Sequence, residues 1–440
     1  MWRFPGAAAS VVSTAGAVGL IVCDALGIKR LNPAHPSAFR KSLQLLWTQR
    51  FGTFWFASLL SSIGTWAQLV AQPWLLLSLG ASSFLLGLDT FAMGAPVFLL
   101  TLVGGALADR ADRRRVIGLF QSIQMLCPLL VVILLLSGAA RAWMVIALSL
   151  VIGITDALSM PSYQTIVATI VRKDEIPTGI ALNSTQFNLS RILGPAVAGV
   201  LMASIGAIGA FAVSAASYLP FILVALWILP RSQGGAVGRM HYADLVRDVR
   251  TIAHDPVLRG ALLTVLATSL LCAPLVTFCP VLVQKVFHGD VTHFSIAMGA
   301  FGIGGLIGAV ALLGVDTGRD RRPLASWTGI LYGAMVLFAA LDPWLGALPV
   351  LLAAAGVVMT MSSASANAVL QMAAARELRG QSVGLFMLAM RGGTAVGGLV
   401  SGVSVELLGV REALCINGVL AMIVQLALAR RWLAAPQRAA

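Results

Sequence analysis

The chain has 440 residues, of which 58% are hydrophobic and 11% are charged. Soluble domains average roughly 45–50% apolar and about 25% charged residues, so this composition excludes a soluble globule, which needs a polar surface. The net charge of +13 would suggest nucleic acid as the partner of a soluble chain, but here the basic residues lie in short breaks between apolar runs. The composition therefore predicts a multi-pass membrane protein in a lipid bilayer, without a nucleic-acid partner.

Residues 1–45 form an amino-terminal tail that contains an extra apolar segment, from Ala7 to Leu26. This segment is nearly long enough to cross a bilayer. A leader, an interfacial helix, an upstream start-codon error and a thirteenth span all remain open. A lipoprotein signal is disfavoured, because Val22 rather than a small residue precedes Cys23.

Twelve apolar runs of spanning length follow the tail, since each approaches the about 20 residues that a spanning helix needs. The predicted spans are 51–78, 84–108, 116–138, 142–164, 179–203, 208–229, 258–284, 294–314, 324–341, 345–367, 382–407 and 412–433. The predicted fold class is therefore an all-α membrane protein with twelve transmembrane helices in two pseudo-symmetric six-helix bundles. The bundles occupy residues 46–229 and 258–440, and a hydrophilic linker of residues 230–257 joins them.

The distribution of basic residues predicts the topology. Of the 30 Lys and Arg residues, 25 fall on one side of the membrane in this arrangement, and only Arg141, Lys285 and Arg411 fall on the other. Arg191 and Arg391 fall inside spans. Because cytoplasmic loops carry an excess of Lys and Arg, we expect the linker and both ends of the twelve-span body to be cytoplasmic, in the inner (plasma) membrane.

The two halves of the chain repeat charged residues at corresponding helices, as expected of membrane proteins with internal structural repeats. The acid and two arginines that follow span 2 recur 207 residues later, after span 8: Asp109, Arg114 and Arg115 match Asp316, Arg321 and Arg322. Arg191 in span 5 matches Arg391 in span 11, 200 residues later.

The loop between spans 2 and 3 carries the most specific motif. Its sequence, Gly105-Ala-Leu-Ala-Asp-Arg-Ala-Asp-Arg-Arg-Arg115, resembles the Gly-x-x-x-Asp-Arg-x-Gly-Arg-Arg motif of the major facilitator superfamily, with Asp112 where the family has Gly. The resemblance covers roughly residues 40–430. In that family the loop latches the two halves in the outward-facing state, and the glycine permits close approach of a neighbouring helix. The resemblance implies a conformational gate formed by Gly105, Asp109, Arg110, Arg113, Asp316 and Arg321.

Span 5 carries a second, partial match. The segment from Arg191 to Gly199, Arg-Ile-Leu-Gly-Pro-Ala-Val-Ala-Gly, resembles the Gly-Pro-x-x-Gly-Gly antiporter motif, with Ala198 in place of one Gly. The longer segment 183–199 resembles the subgroup of the enterobactin exporter and the macrolide efflux permeases, which implies export. We expect Gly194, Pro195 and Gly199 to form a helix bend, because proline removes a backbone donor and small residues permit tight contact there.

Polar residues at helical spacing predict a transport cavity. Residues three and four apart share a helix face, and hydrocarbon offers them no hydrogen-bond partners, so these faces must turn into the bundle or toward water. The predicted cavity residues are Ser61, Thr65, Gln68 and Gln72 of span 1, Asp156 and Tyr163 of span 4, Asn188 and Arg191 of span 5, and Arg391 of span 11. Interhelical hydrogen bonding is the alternative role.

The charged residues inside spans lead to a hypothesis on coupling. We expect Asp156 to pair with Arg191 on the neighbouring helix. Asp156 would exchange protons, and Arg191 and Arg391 would bind an anionic substrate or gate the acid; a static ion pair is the alternative. Asp89 and Glu406 are expected to be solvated ends of their spans.

These patterns together predict a secondary active transporter. The favoured function is proton-coupled export (antiport) of a small amphipathic molecule, such as a siderophore or drug, by alternating access. A solute importer of the same fold, a non-transporting membrane sensor and a lipid-modifying enzyme are the alternatives. No catalytic residues, cofactor or metal site are predicted, since all five histidines lie in tails or loops. The expected partners are the lipid bilayer, protons and the small-molecule substrate, and the chain is expected to be a monomer.

Overall fold

The computed structural model describes residues 44–172, 175–230, 251, 254–315, 320–374 and 379–434. All regular structure within these residues is helical. The helices are α1 (Gln49–Ser78), α2 (Ser83–Arg110), α3 (Arg113–Leu136), α4 (Ala142–Ile170), α5 and α6 (together Ile176–Trp227), α7 (segments Pro256–Leu271, Pro274–Val281 and Leu282–Val286), α8 (Val291–Leu313), α9 (Arg322–Leu341), α10 (Leu348–Ala373), α11 (Arg379–Leu408) and α12 (Val410–Leu433). Expectations for residues 1–43 and for most of the linker lie outside this description.

Helices α5 and α6 form one continuous run that is interrupted at Gly206. This residue has φ 66° and ψ −170°, a left-handed conformation that glycine adopts without the steric cost of a Cβ atom. Within the described residues, eleven helices are long and apolar enough to cross a membrane, and one of them, Thr178–Trp227, contains two spans. The predicted twelve-span fold is therefore confirmed. The largest differences in extent are in α4, which continues to Ile170, and in α10, which continues to Ala373.

Helix α7 is divided into three segments. Pro274 begins the second segment, a position where the missing N–H of proline costs little. The third segment is a single π turn, a local widening of the helix that occurs mostly as one turn inside longer helices. The second segment packs against α1 and α2, so this part of α7 joins the second bundle to the first.

One end of the molecule is sealed by packing between the two bundles. We call it the closed end; it carries the α1–α2 and α7–α8 turns. A single cluster of buried side chains there takes members from both bundles, including Leu75 of α1 and Phe278 of α7. Trp74 of α1 stacks on Phe294 of α8, with ring centroids 5.1 Å apart. Apolar burial therefore holds the two bundles together at this end.

The opposite end is packed as two separate cores. We call it the basic end; it carries the start of α1, the α2–α3 turn and the end of α12. One cluster, which includes Phe54 and Phe221, belongs to the first bundle. The other, which includes Phe386 and Trp432, belongs to the second bundle, and Phe187 of α5 packs against it from the first. Among the described residues, the bundles thus share one core at the closed end, whereas at the basic end each bundle has its own core and Phe187 packs across the boundary.

Glycines allow the helix backbones of the two bundles to touch near the closed end. A Cβ atom at Gly199 of α5 would lie 2.5 Å from the carbonyl oxygen of Ser295 of α8. A Cβ atom at Gly87 of α2 would lie 2.5 Å from the carbonyl oxygen of Gly398 of α11. Such contacts are possible only with small residues, so these two helix pairs form the tightest joints between the bundles that we describe.

We predict that Gly199→Ala opens the closed end, whereas Gly299→Ala in the same contact does not. Overpacking costs about 1–3 kcal/mol, so the ratio of closed to open molecules should fall by about tenfold in Gly199→Ala. A Cβ atom at Gly299 would meet nothing within 4 Å, which makes that variant the matched control. Distances between spin labels at the exposed residues Ser78 and Thr292 report the change. Identical distance distributions in the two variants would contradict the prediction.

Candidate functional site

Two arginines cross between the bundles near the middle of their helices. Arg391 of α11 forms an ion pair with Asp156 of α4. Arg191 of α5 donates from Nη1 to Ser363 Oγ of α10, at 3.2 Å, and to Met390 Sδ of α11, at 3.1 Å. Each arginine therefore reaches the opposite bundle. We call these five residues the central seam.

The partner of Asp156 differs from the one expected from the sequence. The expected pair with Arg191 is wrong, because Arg191 lies on the face of α5 that is turned toward α10 and α11. Neighbouring order along the chain does not fix the rotation of a helix about its axis, and this rotation decides which side chains meet. The side chain of Asp156 is 28% exposed and that of Arg391 is 29% exposed, so the pair is partly buried.

Arg191 lacks a counter-charge. Among the residues that the structure describes, no carboxylate lies within 4 Å of its guanidinium, and both hydrogen bonds leave from Nη1. The side chain is only partly buried. Placing a charged side chain at mid-membrane costs about 2.5–3.5 kcal/mol on insertion scales. A charged side chain that lacks a counter-charge and is kept despite this cost is therefore a candidate for a functional role.

The polar stripe of α1 faces helices of its own bundle. Thr65 Oγ1 and the Tyr218 hydroxyl of α6 lie 2.8 Å apart. Ser61 donates to the Gln121 side chain of α3 at 3.4 Å, and Gln68, buried, accepts from a serine of α6. These bonds favour interhelical hydrogen bonding over cavity lining, so the stripe is not included in the central seam.

Asp89 of α2 is a buried acid that sequence reasoning misplaced. Its Oδ2 accepts from Gln72 Nε2 at 2.7 Å, and its Oδ1 accepts from Ser149 Oγ at 2.6 Å. The side chain is only 5% exposed, so the expectation of a solvated end is wrong. Helix α2 begins at Ser83, which places Asp89 two turns inside, between α1 and α4. The sequence signal that could have revealed this burial is the presence of two polar residues, Gln72 and Ser149, on those two helices.

The hydrogen bonds around Asp89 can serve either protonation state. Ser149 Oγ is also 3.0 Å from the carbonyl oxygen of Val145, so its hydroxyl can rotate from the carboxylate to that acceptor. A protonated Asp89 could then donate to Ser149 Oγ. The two hydrogen-bond partners of the carboxylate, Gln72 and Ser149, belong to the first bundle.

We predict that Gln72→Leu destabilises the protein by about 1–3 kcal/mol, the cost of leaving a buried polar group without its partner. Gln124→Leu is the matched control, because within the described part of the chain the buried Gln124 accepts one hydrogen bond, from Gln121 Nε2 at 3.2 Å, and its amide nitrogen makes none. The midpoint of thermal unfolding in detergent measures both effects. Equal losses in the two variants would refute the role given to Gln72.

The α2–α3 turn is built around Asp112, the residue that departs from the family motif. Its side chain caps α3 by accepting from the backbone N–H of Arg114 at 3.2 Å, a favoured role for aspartate. Arg114 in turn donates to the carbonyl oxygen of Leu226 at 3.0 Å, which ties this turn to the end of α6. The side chains of Asp109 and Arg110, and the whole of Asp316, lie outside the described residues, so the gate stays a prediction.

The second bundle repeats this arrangement with a shift. Arg322 donates from its backbone to Asp320 Oδ1 at 3.0 Å and pairs with the same carboxylate through Nε. Its Nη1 donates to the carbonyl oxygen of Trp432 at the end of α12, at 3.2 Å. The structural equivalent of Arg114 is therefore Arg322. The expected match of Arg114 with Arg321 is wrong by one residue. The feature that repeats is an acid two residues before the arginine, as in Asp112 and Arg114 or Asp320 and Arg322.

Gly105 does not contact another helix in this conformation. A Cβ atom at Gly105 would meet nothing within 4 Å, whereas one at Gly104 would lie 2.6 Å from the carbonyl oxygen of Ala157. Gly104 therefore makes the close contact of α2 with α4. Within the described residues, the close approach expected at Gly105 is absent from this conformation, and the two cores at the basic end are separate.

The three residues predicted to form a helix bend, Gly194, Pro195 and Gly199, have different roles in the structure. A Cβ atom at Gly194 would lie 2.2 Å from Trp66 Cβ of α1, so Gly194 serves packing within the first bundle, while Gly199 contacts α8 of the second. Gly206 is the one non-helical residue in the run Ile176–Trp227, so α5 stays helical through Pro195. This proline still cannot donate to the carbonyl oxygen of Arg191, four residues earlier.

Two further predicted cavity residues bond within the first bundle. The hydroxyl of Tyr163 lies 3.2 Å from Asn183 Oδ1 on α5 and also contacts the Ser58 hydroxyl of α1. Asn188 donates to the carbonyl oxygen of Ser184 in its own helix at 2.8 Å. Neither joins the central seam through a hydrogen bond of the described residues, so their place in a cavity stays a prediction.

Glu406 links the bundles at the closed end. Its side chain is exposed, as expected, but Oε2 accepts from the backbone N–H of Ser83 at 2.9 Å. A carboxylate is stabilised at a helix N-terminus, here that of α2, by the partial positive charge there. Glu406 of α11 therefore adds a polar contact to the apolar seal.

Two six-helix bundles, sealed together at one end and carrying charges between them at mid-depth, define a transporter with two related halves. The chain belongs to the transmembrane secretion effector family of the major facilitator superfamily, whose model matches residues 41–439. It is a membrane transporter and not an enzyme, and the resemblance seen in its motifs is confirmed.

Sequence relatives support this assignment. The chain is 29% identical to the multidrug efflux pump Tap of Mycolicibacterium fortuitum, over 75% of this chain and 83% of that protein. It is 27% identical to the staphyloferrin A transporter of Staphylococcus aureus, over 59% of this chain and 66% of that protein.

Solved structures show the same fold at lower identity. The nucleoside transporter NupG matches with a TM-score of 0.66 and 14% identity, over 88% of this chain and 99% of that one. A bacterial homologue of the lysosomal transporter Spinster, in an inward-facing and occupied conformation, matches with a TM-score of 0.64 and 16% identity, over 87% of this chain and 97% of that one.

Proposed function

We propose that the chain is a proton-coupled exporter of a small amphipathic molecule, such as a siderophore or a drug, with its basic end in the cytoplasm. The observation that carries the proposal is the ion pair between Asp156 and Arg391, whose members belong to different bundles. The names of two relatives, a multidrug efflux pump and a siderophore transporter, support export. The excess of basic residues at one end supports the orientation.

The Asp156–Arg391 pair is suited to respond to alternating access. In the present conformation each charge neutralises the other. When the bundles rock so that the closed end opens and the basic end closes, two groups on different bundles change their relative position. A carboxylate that loses its counter-charge in a poorly hydrated seam is costly to keep ionised, and binding a proton removes that cost.

The order of events follows from the two states. With the closed end sealed, Asp156 has released its proton toward the basic end and is paired with Arg391. In this state the seam can receive substrate from the cytoplasm. With the closed end open, the substrate leaves and Asp156 takes up a proton from outside. One cycle therefore exchanges an inward-moving proton for an outward-moving substrate molecule.

Asp89 is the natural comparison for Asp156. It is also an acid within a span, but the described partners of its carboxylate, Gln72 and Ser149, are in the first bundle. A rocking motion of whole bundles leaves those contacts unchanged. A proton carrier must differ in proton affinity between the two states, and Asp156 meets this requirement through Arg391 whereas Asp89 does not.

We predict that Asp156→Asn abolishes proton-driven export and that Asp89→Asn retains most of it. Resistance and secretion profiling of a deletion strain first identifies the exported molecule. Uptake of that molecule into everted vesicles, driven by an imposed pH gradient, should fall in Asp156→Asn to the level of vesicles without the transporter, because an amide cannot exchange the proton. Normal proton-driven uptake by Asp156→Asn would rule out the carrier role.

The same vesicles test the direction of transport. An exporter accumulates its substrate in everted vesicles, whereas an importer of the same fold accumulates it in right-side-out vesicles. Accumulation in the right-side-out preparation alone would contradict export and leave the fold and family unaffected.

A further inference from the structure

Arg191 and Arg391 of the central seam occupy equivalent positions in the two halves of the repeat, but only Arg391 meets an acid among the described residues. Arg391 of α11 crosses to the fourth helix of the first bundle and meets the carboxylate of Asp156. Arg191 of α5 crosses to the fourth helix of the second bundle and meets the hydroxyl of Ser363 there, at 3.2 Å. Helix α10, Leu348–Ala373, contains no acidic residue. The second crossing is therefore an arginine without an acid.

The free edge of Arg191 has the geometry that a carboxylate requires. Its Nη1 is held by Ser363 and Met390, while Nε and Nη2 make no hydrogen bond within the described residues. Nε and Nη2 lie on the same side of the planar guanidinium and can donate in parallel to the two oxygens of one carboxylate. The partial exposure of Arg191 leaves room for that approach.

Apolar and aromatic side chains lie within one helical turn of Arg191 or in contact with it. Phe187 is four residues before Arg191, on the same face of α5, and packs against the core of the second bundle. Trp66 of α1 meets Phe187 edge to face, with ring centroids 6.1 Å apart. Met390 adds a flexible thioether that adapts to varied apolar shapes. The surroundings thus suit a molecule with an apolar body and one anionic group.

We propose that Arg191 and Ser363 form the binding site for a carboxylate group of an amphipathic substrate, which supplies the counter-charge that α10 lacks. The inference rests on the proposed export function and specifies the chemical class of the exported molecule. Ser363 accepts from Arg191 and so keeps its own proton free to donate to the bound group. Asp156 and Arg391 remain paired beside this site, so the acid that exchanges protons and the cation that binds substrate are different residues.

The test uses purified full-length protein and two fluorescent probes, dansyl-norleucine and its carboxamide, which differ only in the carboxylate. The wild type should bind the acid at least about tenfold more tightly than the amide, because a charge-assisted bidentate pair is the stronger contact. Ser363→Asp places a carboxylate beside Arg191 and should weaken binding of the acid by about tenfold or more. Ser363→Asn introduces a side chain of the same size as aspartate without the charge, and it should weaken binding of the acid less than Ser363→Asp does. Arg191→Gln should lose the preference for the acid.

Several results would overturn the site. They are equal binding of acid and amide by the wild type, no saturable binding of the acid, or Ser363→Asp binding the acid as well as Ser363→Asn does. Size-exclusion profiles and helical circular dichroism of each variant show that folding is unchanged. Failure of the export proposal is seen separately, as absence of proton-driven transport by wild-type vesicles, and does not alter the binding comparison.

Discussion

The structure depends on the cost of placing charge in hydrocarbon. Arg191, Arg391 and Asp156 sit inside spans, where lipid offers no partner, so α4, α5 and α11 must turn these side chains toward the boundary between the bundles. That requirement fixes the rotation of three helices in both halves at once. It also makes the boundary polar at mid-depth, so the bundles cannot fuse into a single apolar core along their whole length.

The packing on either side of this polar layer then differs for a physical reason. Toward the closed end, apolar side chains such as Phe278 and the contact of Gly199 with α8 let the bundles share a core. Toward the basic end, each bundle completes its own core, and arginines such as Arg114 secure the turns within a bundle. Within the described residues, contacts inside each bundle are extensive, whereas contacts between the bundles lie at the closed end, at the seam and around Phe187. Two rigid halves with a limited joint are what a rocking motion requires.

The sequence predicts the spans well because hydrophobic length is a local property. It predicts the central residues Asp156, Arg191 and Arg391 because charge in a span is rare. It does not predict that Arg391 rather than Arg191 meets Asp156, since this depends on how two bundles dock. It also misplaces Asp89, whose burial follows from polar residues on α1 and α4 that are far apart along the chain.

The seam is asymmetric in charge, because two equivalent arginines share a single acid. This asymmetry is useful for recognising a ligand. Two complete crossings, each with an acid, would give four charges that cancel, and the seam would be held shut by two ion pairs with no charge left to recognise a ligand. Three charges, as found here, leave one pair that can break when a proton binds and one cation that still needs an anion. In the proposed export cycle, the bound carboxylate balances the net positive charge of the seam while the substrate moves outward, and protonation of Asp156 frees Arg391 from its pair for the return. Substrate binding at Arg191 and proton exchange at Asp156 would then act at the same boundary between the bundles.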